Sequence, residues 1–423
     1  DTSGLRMRLA HTEAESRAAT PPPPPPPEPP LAAVPAALPD PATIPPREWL
    51  YGTRLIRRFV SVLAAPGGVG KSALALAQAV AVASGRPILN ERVHHSVPVW
   101  VMNLEDPQEE QDRRVAALMQ LHAVPRDALA GRLFLHSGRS RRLTMAALDE
   151  TQAIVHPDAA AVAAACRARG IGLVVVDPFV KSHRLDENSN AQMDAAATAW
   201  AEIAEATGAA ILLVHHVRKG ASADVDAARG AKSLTDAARS AALLAPMTAE
   251  EAEHLSVPAA ERWRYVRLDD AKANLAPRAD NARWFRLETV SLGNATEAYP
   301  SGDAVAAIAA WKPPSPLRGM TAADCNRALD LIAAGPGEGV AYSAHRTGRA
   351  SQDGKGERWA GRVLVRQFGL DDNEAARVIA AWLKSGLLAE APYHDGKQRK
   401  TRLGVRVIDA RRPTGSNHDR SNA

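Results

Sequence analysis

Short apolar runs alternate with longer helical patterns between Trp49 and about Gly293. The apolar runs occupy residues 59–64, 97–104, 133–136, 172–176 and 210–215. Several are continuous aliphatic stretches, which are typical of parallel strands that are covered on both faces. Two later segments, 264–268 and 283–287, alternate in residue type and predict antiparallel strands at the edge of the sheet. The pattern predicts an α/β fold with a mainly parallel sheet and crossover helices.

The pattern changes after about residue 300. Thr321 and Asp324 have the spacing of a capping box and predict a helix to about Ala334. Apolar residues at helical spacing between 375 and 383 predict another helix, with Gly386 as its C-terminal stop. Two short apolar segments then flank a turn near Asp395 in basic surroundings. Helices followed by a basic hairpin predict a small α+β domain of winged-helix type.

The composition of the first 47 residues is unsuited to a packed hydrophobic core. Prolines fill positions 21–27 without interruption, and proline and alanine dominate as far as Pro46. Such a segment is expected to be disordered and to act as a stiff spacer. Since the chain begins at Asp1, we also expect the natural protein to continue upstream.

The predicted organisation has four parts. They are a disordered linker at 1–47, a core at 48–298, a winged-helix-like domain at 299–412 and a disordered tail at 413–423.

The positive charge is concentrated in the C-terminal part. The formal net charge is +5, and residues 301–423 contain 19 Lys and Arg against 13 Asp and Glu. This excess is expected if that part meets a polyanion, and a merely soluble charged surface explains it almost as well. The sequence has no secretory segment and no apolar run long enough to cross a bilayer. We therefore expect a cytoplasmic protein without membrane association.

A glycine-rich segment between the first apolar run and an alanine-rich helical pattern predicts a phosphate-binding loop. Its glycines allow backbone N–H groups to converge on phosphates, its lysine supplies a cation, and its serine hydroxyl reaches a Mg²⁺ ion. Ala65 stands where the usual pattern begins with glycine. The predicted nucleotide-binding residues are Gly67, Gly68, Val69, Gly70, Lys71, Ser72 and Ala73.

Two carboxylates at strand ends complete the predicted site. Asp177 directly follows the apolar run 172–176 and is expected to hold Mg²⁺ together with Ser72. The next residue is Pro178 rather than a glutamate, so a hydrolytic base has to come from elsewhere. Glu105 follows the strand after the loop helix and is the candidate general base, whereas Asp106 suits the cap of the following helix. The alternative is that either carboxylate only caps that helix.

Together these motifs resemble the RecA-like ATPases of hexameric helicases. The glycine-rich loop, a strand that ends in Glu-Asp-Pro, an aspartate after three valines and a strand that ends in His-His carry the likeness. Among these ATPases the chain resembles the plasmid-encoded RepA-type replicative helicases, and it resembles the DnaB-type helicases more distantly. The resemblance spans about 48–290, and it implies ATP and Mg²⁺ as cofactors.

The resemblance also implies roles for further residues. His215 and His216 match a sensor strand that reports the state of the γ-phosphate; a packed pair or a metal site is the alternative. Arg218 and Lys219 begin a loop that resembles the one touching single-stranded DNA, although a solvated connector is nearly as good an interpretation.

The resemblance also implies cations that one subunit contributes to the nucleotide site of its neighbour. Arg239 matches an arginine finger that reaches the γ-phosphate of the neighbouring subunit, and Lys272 matches a second cation. Ordinary surface ion pairs are the alternative for both residues. In the winged-helix-like domain, the candidate DNA contacts are Lys397, Arg399, Lys400 and Arg402; a solvated hairpin on a protein-interaction domain is the alternative.

The leading functional hypothesis is an ATP-driven DNA helicase that acts in the replication of a plasmid, phage or mobile element. Its implied partners are single-stranded DNA, further copies of the chain in a hexamer, and a primase or initiator protein. One alternative is a DNA-binding regulatory or partition-type ATPase that separates no strands. Another is the helicase half of a primase-helicase fusion. A small-molecule kinase is less favoured because it has no use for Glu105 or for a trans Arg239.

Overall fold

The computed structural model describes residues 32–217, 232–255, 257–277, 282–314, 320–346, 357–396 and 399–413. The chain divides into two units, residues 1–47 and residues 48–423. In the first unit, residues 32–47 are exposed and contain a short 3₁₀ turn, Pro41–Thr43, which the Asp40 carboxylate caps. The predicted proline run lies outside the described residues.

A nine-stranded sheet forms the centre of the second unit. The strands of this part of the chain are β1 Trp49–Tyr51, β2 Leu55–Ile56, β3 Val60–Pro66, β4 Val99–Asn103, β5 Leu133–Ser137, β6 Ala147–Leu148, β7 Ile154–Val155, β8 Leu173–Asp177, β9 Ala210–Val217, β10 Ser240–Pro246, β11 Tyr265–Ala273, β12 Arg283–Ser291 and β13 Ala304–Trp311. The order in the sheet is β5-β4-β8-β9-β3-β10-β11-β12-β13. In sheet order, the first six strands, β5 to β10, are parallel, and β11, β12 and β13 are antiparallel additions at one edge. Strands β11 and β12 were predicted, and β13 was not.

Helices cover both faces of this sheet. They are α1 Lys71–Ser84, α2 Gln108–Leu121, α3 Ala159–Arg169, α4 Asn190–Thr207, α5 Lys232–Ala237 and α6 Ala249–His254. One hydrophobic cluster joins α1, the end of α2 and the antiparallel strands, and another joins α3 and α4 to the opposite face. Trp200 of α4 is fully buried, and its indole N–H donates to the Ser182 hydroxyl at 3.3 Å. The predicted α/β fold with a mainly parallel sheet is confirmed.

Strand β13 belongs to the core, so the core extends beyond the boundary predicted at 298. Residues 304–311 were assigned to the C-terminal domain, but they pair with β12 along their whole length. Val305, Ala307 and Ile308 are buried in the cluster that contains α1. Alanine occupies five of the eight positions, and its weak preference for strands explains why the pattern did not reveal this strand.

The C-terminal part is a small α+β unit with its own hydrophobic cluster, as predicted. Three helices, α7 Ala322–Ala334, α8 Gly361–Phe368 and α9 Asp372–Lys384, precede a hairpin of β14 Leu388–Asp395 and β15 Lys400–Val407. Thr321 and Asp324 form the expected capping box. Helix α8 is an addition that the sequence pattern did not indicate. Among the described helices, none combines the length and apolarity that a membrane span requires.

Candidate functional site

The glycine-rich loop connects the end of β3 to the first residue of α1. Gly68 and Gly70 have positive φ values of 81° and 94°, a conformation that residues with a side chain rarely adopt. A Cβ atom on Gly70 would lie 2.9 Å from Cδ2 of Leu287 in β12. A glycine-rich loop that leads into a helix N-terminus is a backbone arrangement that can bind an anion through its N–H groups.

Lys71 is the first residue of α1 and is only 5% exposed. Its Nζ lies 2.8 Å from Nδ1 of His216, the residue opposite Ala65 in the β3–β9 register. Burial lowers the pKa of Lys71, while Asp177 and Glu105 act to raise it. Burial and the lysine charge both lower the pKa of His216, which favours a neutral ring that accepts a hydrogen bond from the ammonium. A phosphate would compete with His216 for this lysine.

Ser72 and Asp177 form the pair predicted to hold Mg²⁺. The Asp177 carboxyl is 6% exposed and accepts a hydrogen bond from the Ser72 hydroxyl. Burial raises its pKa, and Ser72 and Lys71 act in the opposite direction. One carboxylate and one hydroxyl fit Mg²⁺, which takes its remaining ligands from water and substrate phosphates. No group of three or more His, Cys, Asp or Glu side chains in the described part of the chain could hold a metal ion without such help.

Glu105 lies at the same edge of the sheet. Asn103 pairs with Asp177 across β4 and β8, and its side-chain oxygen accepts from the backbone N–H of Glu105 at 3.0 Å. Glu105 is exposed, and it influences the pKa of Lys71, Asp177 and His216. The structure therefore brings the predicted base, the lysine and the carboxylate predicted to bind Mg²⁺ together.

Asp106 does not cap α2, in contrast to the expectation. The N-cap position is Pro107, which has no side-chain cap. The Asp106 carboxylate instead accepts from Asn103 and forms an ion pair of 2.8 Å with Arg114. Asn103 and Arg114 thus hold the turn on which Glu105 stands.

A cavity of about 600 Å³ extends from the loop towards α2 and β13. Its size suits a nucleotide. Arg113 and Asp303 both line the cavity and are joined by a hydrogen bond of 2.8 Å. Sequence reasoning missed this wall because Asp303 precedes the unrecognised β13. Glu110, Arg113 and Arg114 share one face of α2, and their helical spacing was a signal that could have identified them.

His215 points into the other layer of the protein. Its ring is 6.5 Å from Phe179, which in turn lies 4.9 Å from the ring of His183. Burial lowers the pKa of His215 to about 4, and its Nδ1 has no hydrogen-bond partner among the described residues. The two sensor candidates are therefore distinct, since His216 contacts Lys71 and His215 contacts the core.

Arg239 and Lys272 lie at the opposite edge of the sheet from the loop. Arg239 is exposed just before β10, whose first residue pairs with Ser61 near the start of β3. About five residues of strand, roughly 17 Å, separate that edge from the loop. Lys272 Nζ donates to the carbonyls of Thr235 and Asp236 at the end of α5. Neither cation belongs to the site of its own chain.

The candidate DNA contacts are only partly described. Arg218, Lys219 and Lys397 lie outside the described residues. Arg399 and Lys400 are exposed at the tip of the β14–β15 hairpin. Arg402 points back to Asp395, with 3.4 Å between Nη1 and Oδ2, so it is already engaged within the hairpin.

Residues 24–222 match a family model described as an AAA domain. Three solved structures are similar to this chain at low identity. They are an ATPase domain (13% identity, 59% of this chain and 85% of that chain, TM-score 0.37), a DnaB-like replicative helicase studied for its interactions with primase (14%, 54% and 55%, 0.37) and the RadB recombinase (12%, 55% and 88%, 0.35).

The loop geometry, the two strand-end carboxylates and the family match point in one direction. The predicted phosphate-binding loop lies between β3 and α1, and the parallel strands β4, β8 and β9 bring Glu105, Asp177 and His216 to it. The residues predicted to bind phosphate and metal thus lie at the carboxyl edge of a parallel sheet, where such sheets place their ligands. The chain contains a mainly parallel α/β core with a glycine-rich loop between β3 and α1, and part of it matches the AAA domain model.

Proposed function

We propose that this protein is an oligomeric ATP-driven motor of the helicase type, similar to the RepA-type enzymes, that hydrolyses ATP with Mg²⁺ and moves on single-stranded DNA. One observation carries the proposal: Glu105, Asp177 and His216 surround Lys71 at the carboxyl edge of the sheet. An ATP-binding protein without hydrolysis has no need of a positioned carboxylate there.

The chain's residues divide the work as follows. The loop backbone and Lys71 bind the β- and γ-phosphates, and Ser72 and Asp177 hold the ion. When bound, Mg²⁺ neutralises charge that develops on the phosphates. Glu105 orients a water molecule and accepts its proton. The Lys71–His216 contact breaks when the lysine turns to a γ-phosphate and re-forms after release, so β9 registers the nucleotide state.

Arg239 is proposed to act in trans. It is exposed and lies at the far edge of the sheet from its own loop, so only another copy could present it to a nucleotide. Lys272 is proposed as the second trans cation, which would require it to leave the carbonyls of α5. A heterologous contact between copies that closes into a ring, a hexamer in the helicases that this chain resembles, has this geometry.

ATP turnover with and without a single-stranded oligonucleotide tests the proposal. The wild type is expected to hydrolyse ATP only with Mg²⁺ and faster with the oligonucleotide, and Lys71→Ala is expected to abolish turnover. Absence of Mg²⁺-dependent hydrolysis in the wild type, or full turnover in Lys71→Ala, contradicts it.

A second candidate is a DNA-binding regulatory or partition-type ATPase that separates no strands. The winged-helix-like unit with exposed Arg399 and Lys400 favours this alternative. A forked duplex with one labelled strand distinguishes the two functions. The motor releases the labelled strand when ATP is present, whereas the regulator binds the fork and leaves it paired.

A further inference from the structure

A second cavity, of about 850 Å³, lies beside the nucleotide site. Its walls are the segment after β5, the segment after β8 and the turn that carries Glu105. It opens at the carboxyl edge of the sheet, where parallel sheets place their ligands. The proposed chemistry of ATP hydrolysis leaves this cavity unexplained.

Four cations line this cavity. Arg139, Arg142, Lys181 and Arg184 are all exposed, and among the described residues none of them forms an ion pair with a carboxylate. The acidic lining residues are Glu105 and Glu187, which leaves an excess of positive charge. Exposed cations that line one cavity without a carboxylate partner attract an anionic ligand.

The lining favours phosphates over bases. Three of the four cations are arginines, whose planar guanidinium groups match phosphate oxygens in pairs. No Phe, Tyr or Trp is found among the described lining residues, so the cavity offers no stacking platform of that kind. A ligand would therefore be held through its backbone rather than through its bases.

The cavity is mechanically connected to Glu105. Arg139 Nε donates to the Glu105 carbonyl at 2.7 Å. A Cβ atom on the neighbouring Gly138 would lie 2.7 Å from the backbone of Leu104, so the two segments are in close contact. A ligand that draws Arg139 towards itself therefore moves the backbone that carries the candidate base.

We propose that this cavity binds the phosphate backbone of a single-stranded nucleic acid, with Arg142, Lys181 and Arg184 as ligands and Arg139 as the residue that positions Glu105 in response. The proposal rests on the proposed function, because it names where the strand that stimulates hydrolysis docks. A strand with several phosphates suits a cavity lined by several cations better than an isolated anion does.

The experiment uses the full chain and a fluorescent oligo-dT. The variant Arg142→Ala/Lys181→Ala/Arg184→Ala is compared with Arg58→Ala/Arg126→Ala/Arg167→Ala, which removes the same charge from exposed positions at the opposite edge of the sheet. Arg139 stays intact because it holds Glu105. We expect the cavity variant to lose about tenfold or more in affinity at low salt and the slope of log affinity against log salt to fall by about 2. The control is expected to retain wild-type values.

ATP turnover separates this proposal from the one on which it rests. The cavity variant is expected to keep its basal hydrolysis and to lose stimulation by the oligonucleotide. Wild-type affinity and stimulation in the cavity variant overturn the cavity assignment and leave the ATPase intact. If the wild type hydrolyses no ATP but binds the oligonucleotide, and the cavity variant loses that binding, the proposed motor function is wrong. The assignment of the cavity is still supported in that case.

Two further arms complete the test. If the triple variant unfolds, Lys181→Glu/Arg184→Glu provides a second version with the same expected loss of binding. A labelled polyglutamate peptide of equal charge tests the other class of polyanion. If it binds as tightly as the oligonucleotide and loses affinity in the same variant, the nucleic-acid assignment is wrong.

Discussion

At the scale of single residues, the site depends on charges that hold one another in place. Lys71 is buried and would be destabilised as a cation without nearby carboxylates. Asp177 and Glu105 supply that compensation, while His216 accepts the lysine's hydrogen bond. In the proposed function, a triphosphate replaces His216 as the partner of the lysine.

Histidine burial predicts a loss of stability in acid. Burial lowers the pKa of His183 to about 4, and the residue is only 7% exposed. Its unfolded pKa is near 6.5, so the unfolded state binds more protons between these values and stability falls as the pH decreases from about 6.5 to 4. We expect His183 to account for roughly 2 kcal/mol of this loss.

Chemical denaturation at pH 4.5 and pH 7.5 measures this effect. The His183→Gln variant is expected to show a smaller difference between the two pH values than the wild type. His122→Gln is a suitable control, because His122 is only partly buried. An unchanged pH dependence in His183→Gln would argue against the buried neutral histidine.

At the scale of elements, Gly70 and Leu287 tie the loop to the antiparallel edge. A Gly70→Ala substitution places a Cβ at a φ of 94° and 2.9 Å from Leu287. We expect it to destabilise the fold by about 1–3 kcal/mol. Gly67→Ala is the matched control, since its Cβ would have no atom within 4 Å. Equal stabilities of the two variants in thermal unfolding would refute this account of the loop.

The hairpin of the C-terminal unit yields a separate prediction about duplex DNA. Arg399 and Lys400 are exposed, whereas Arg402 is held by Asp395. For duplex DNA, we expect Arg399→Ala/Lys400→Ala to reduce the steepness of the slope of log affinity against log salt by about 2. Arg402→Ala is expected to change this slope less. Fluorescence anisotropy over a salt series measures both slopes. A larger effect of Arg402→Ala would reverse this assignment.

Much of the core could be predicted from its elements, because each motif is local. The loop that contains Lys71, the strand that ends at Asp177 and the turn at Glu105 are each read within a few residues, and parallel topology brings strand ends together. By contrast, β13 reaches the cavity wall from about 200 residues beyond Arg113, and its alanines carry no strand signal. The basic cavity was missed for the same reason, since its cations come from two separate loops.

At the scale of the whole molecule, the position of Arg239 separates a monomeric from an assembled enzyme. Because Arg239 lies at the far edge of the sheet, we expect Arg239→Ala and Lys71→Ala each to be inactive alone. When the two inactive variants are mixed in equal amounts, we expect roughly a quarter of the contacts between copies to form a complete site and to hydrolyse ATP. There, an intact Lys71 of one copy meets an intact Arg239 of the next.

The matched control mixes Lys71→Ala with Glu105→Gln. Both residues belong to the same site, so no contact in that mixture is complete and no recovery is expected. Steady-state ATP turnover measures both mixtures. Equal recovery in the two, or an active Arg239→Ala alone, would show that Arg239 does not act in trans.

The central claim is that Glu105 activates water for a nucleotide held by Lys71, and Glu105→Gln tests it most directly. Turnover of ATP and affinity for a fluorescent ATP analogue are measured in the wild type, in Glu105→Gln and in Glu109→Gln, an exposed carboxylate on the next turn. We predict that Glu105→Gln lowers turnover about 10²–10⁴-fold with little change in affinity, and that Glu109→Gln resembles the wild type. Wild-type turnover in Glu105→Gln would contradict the account.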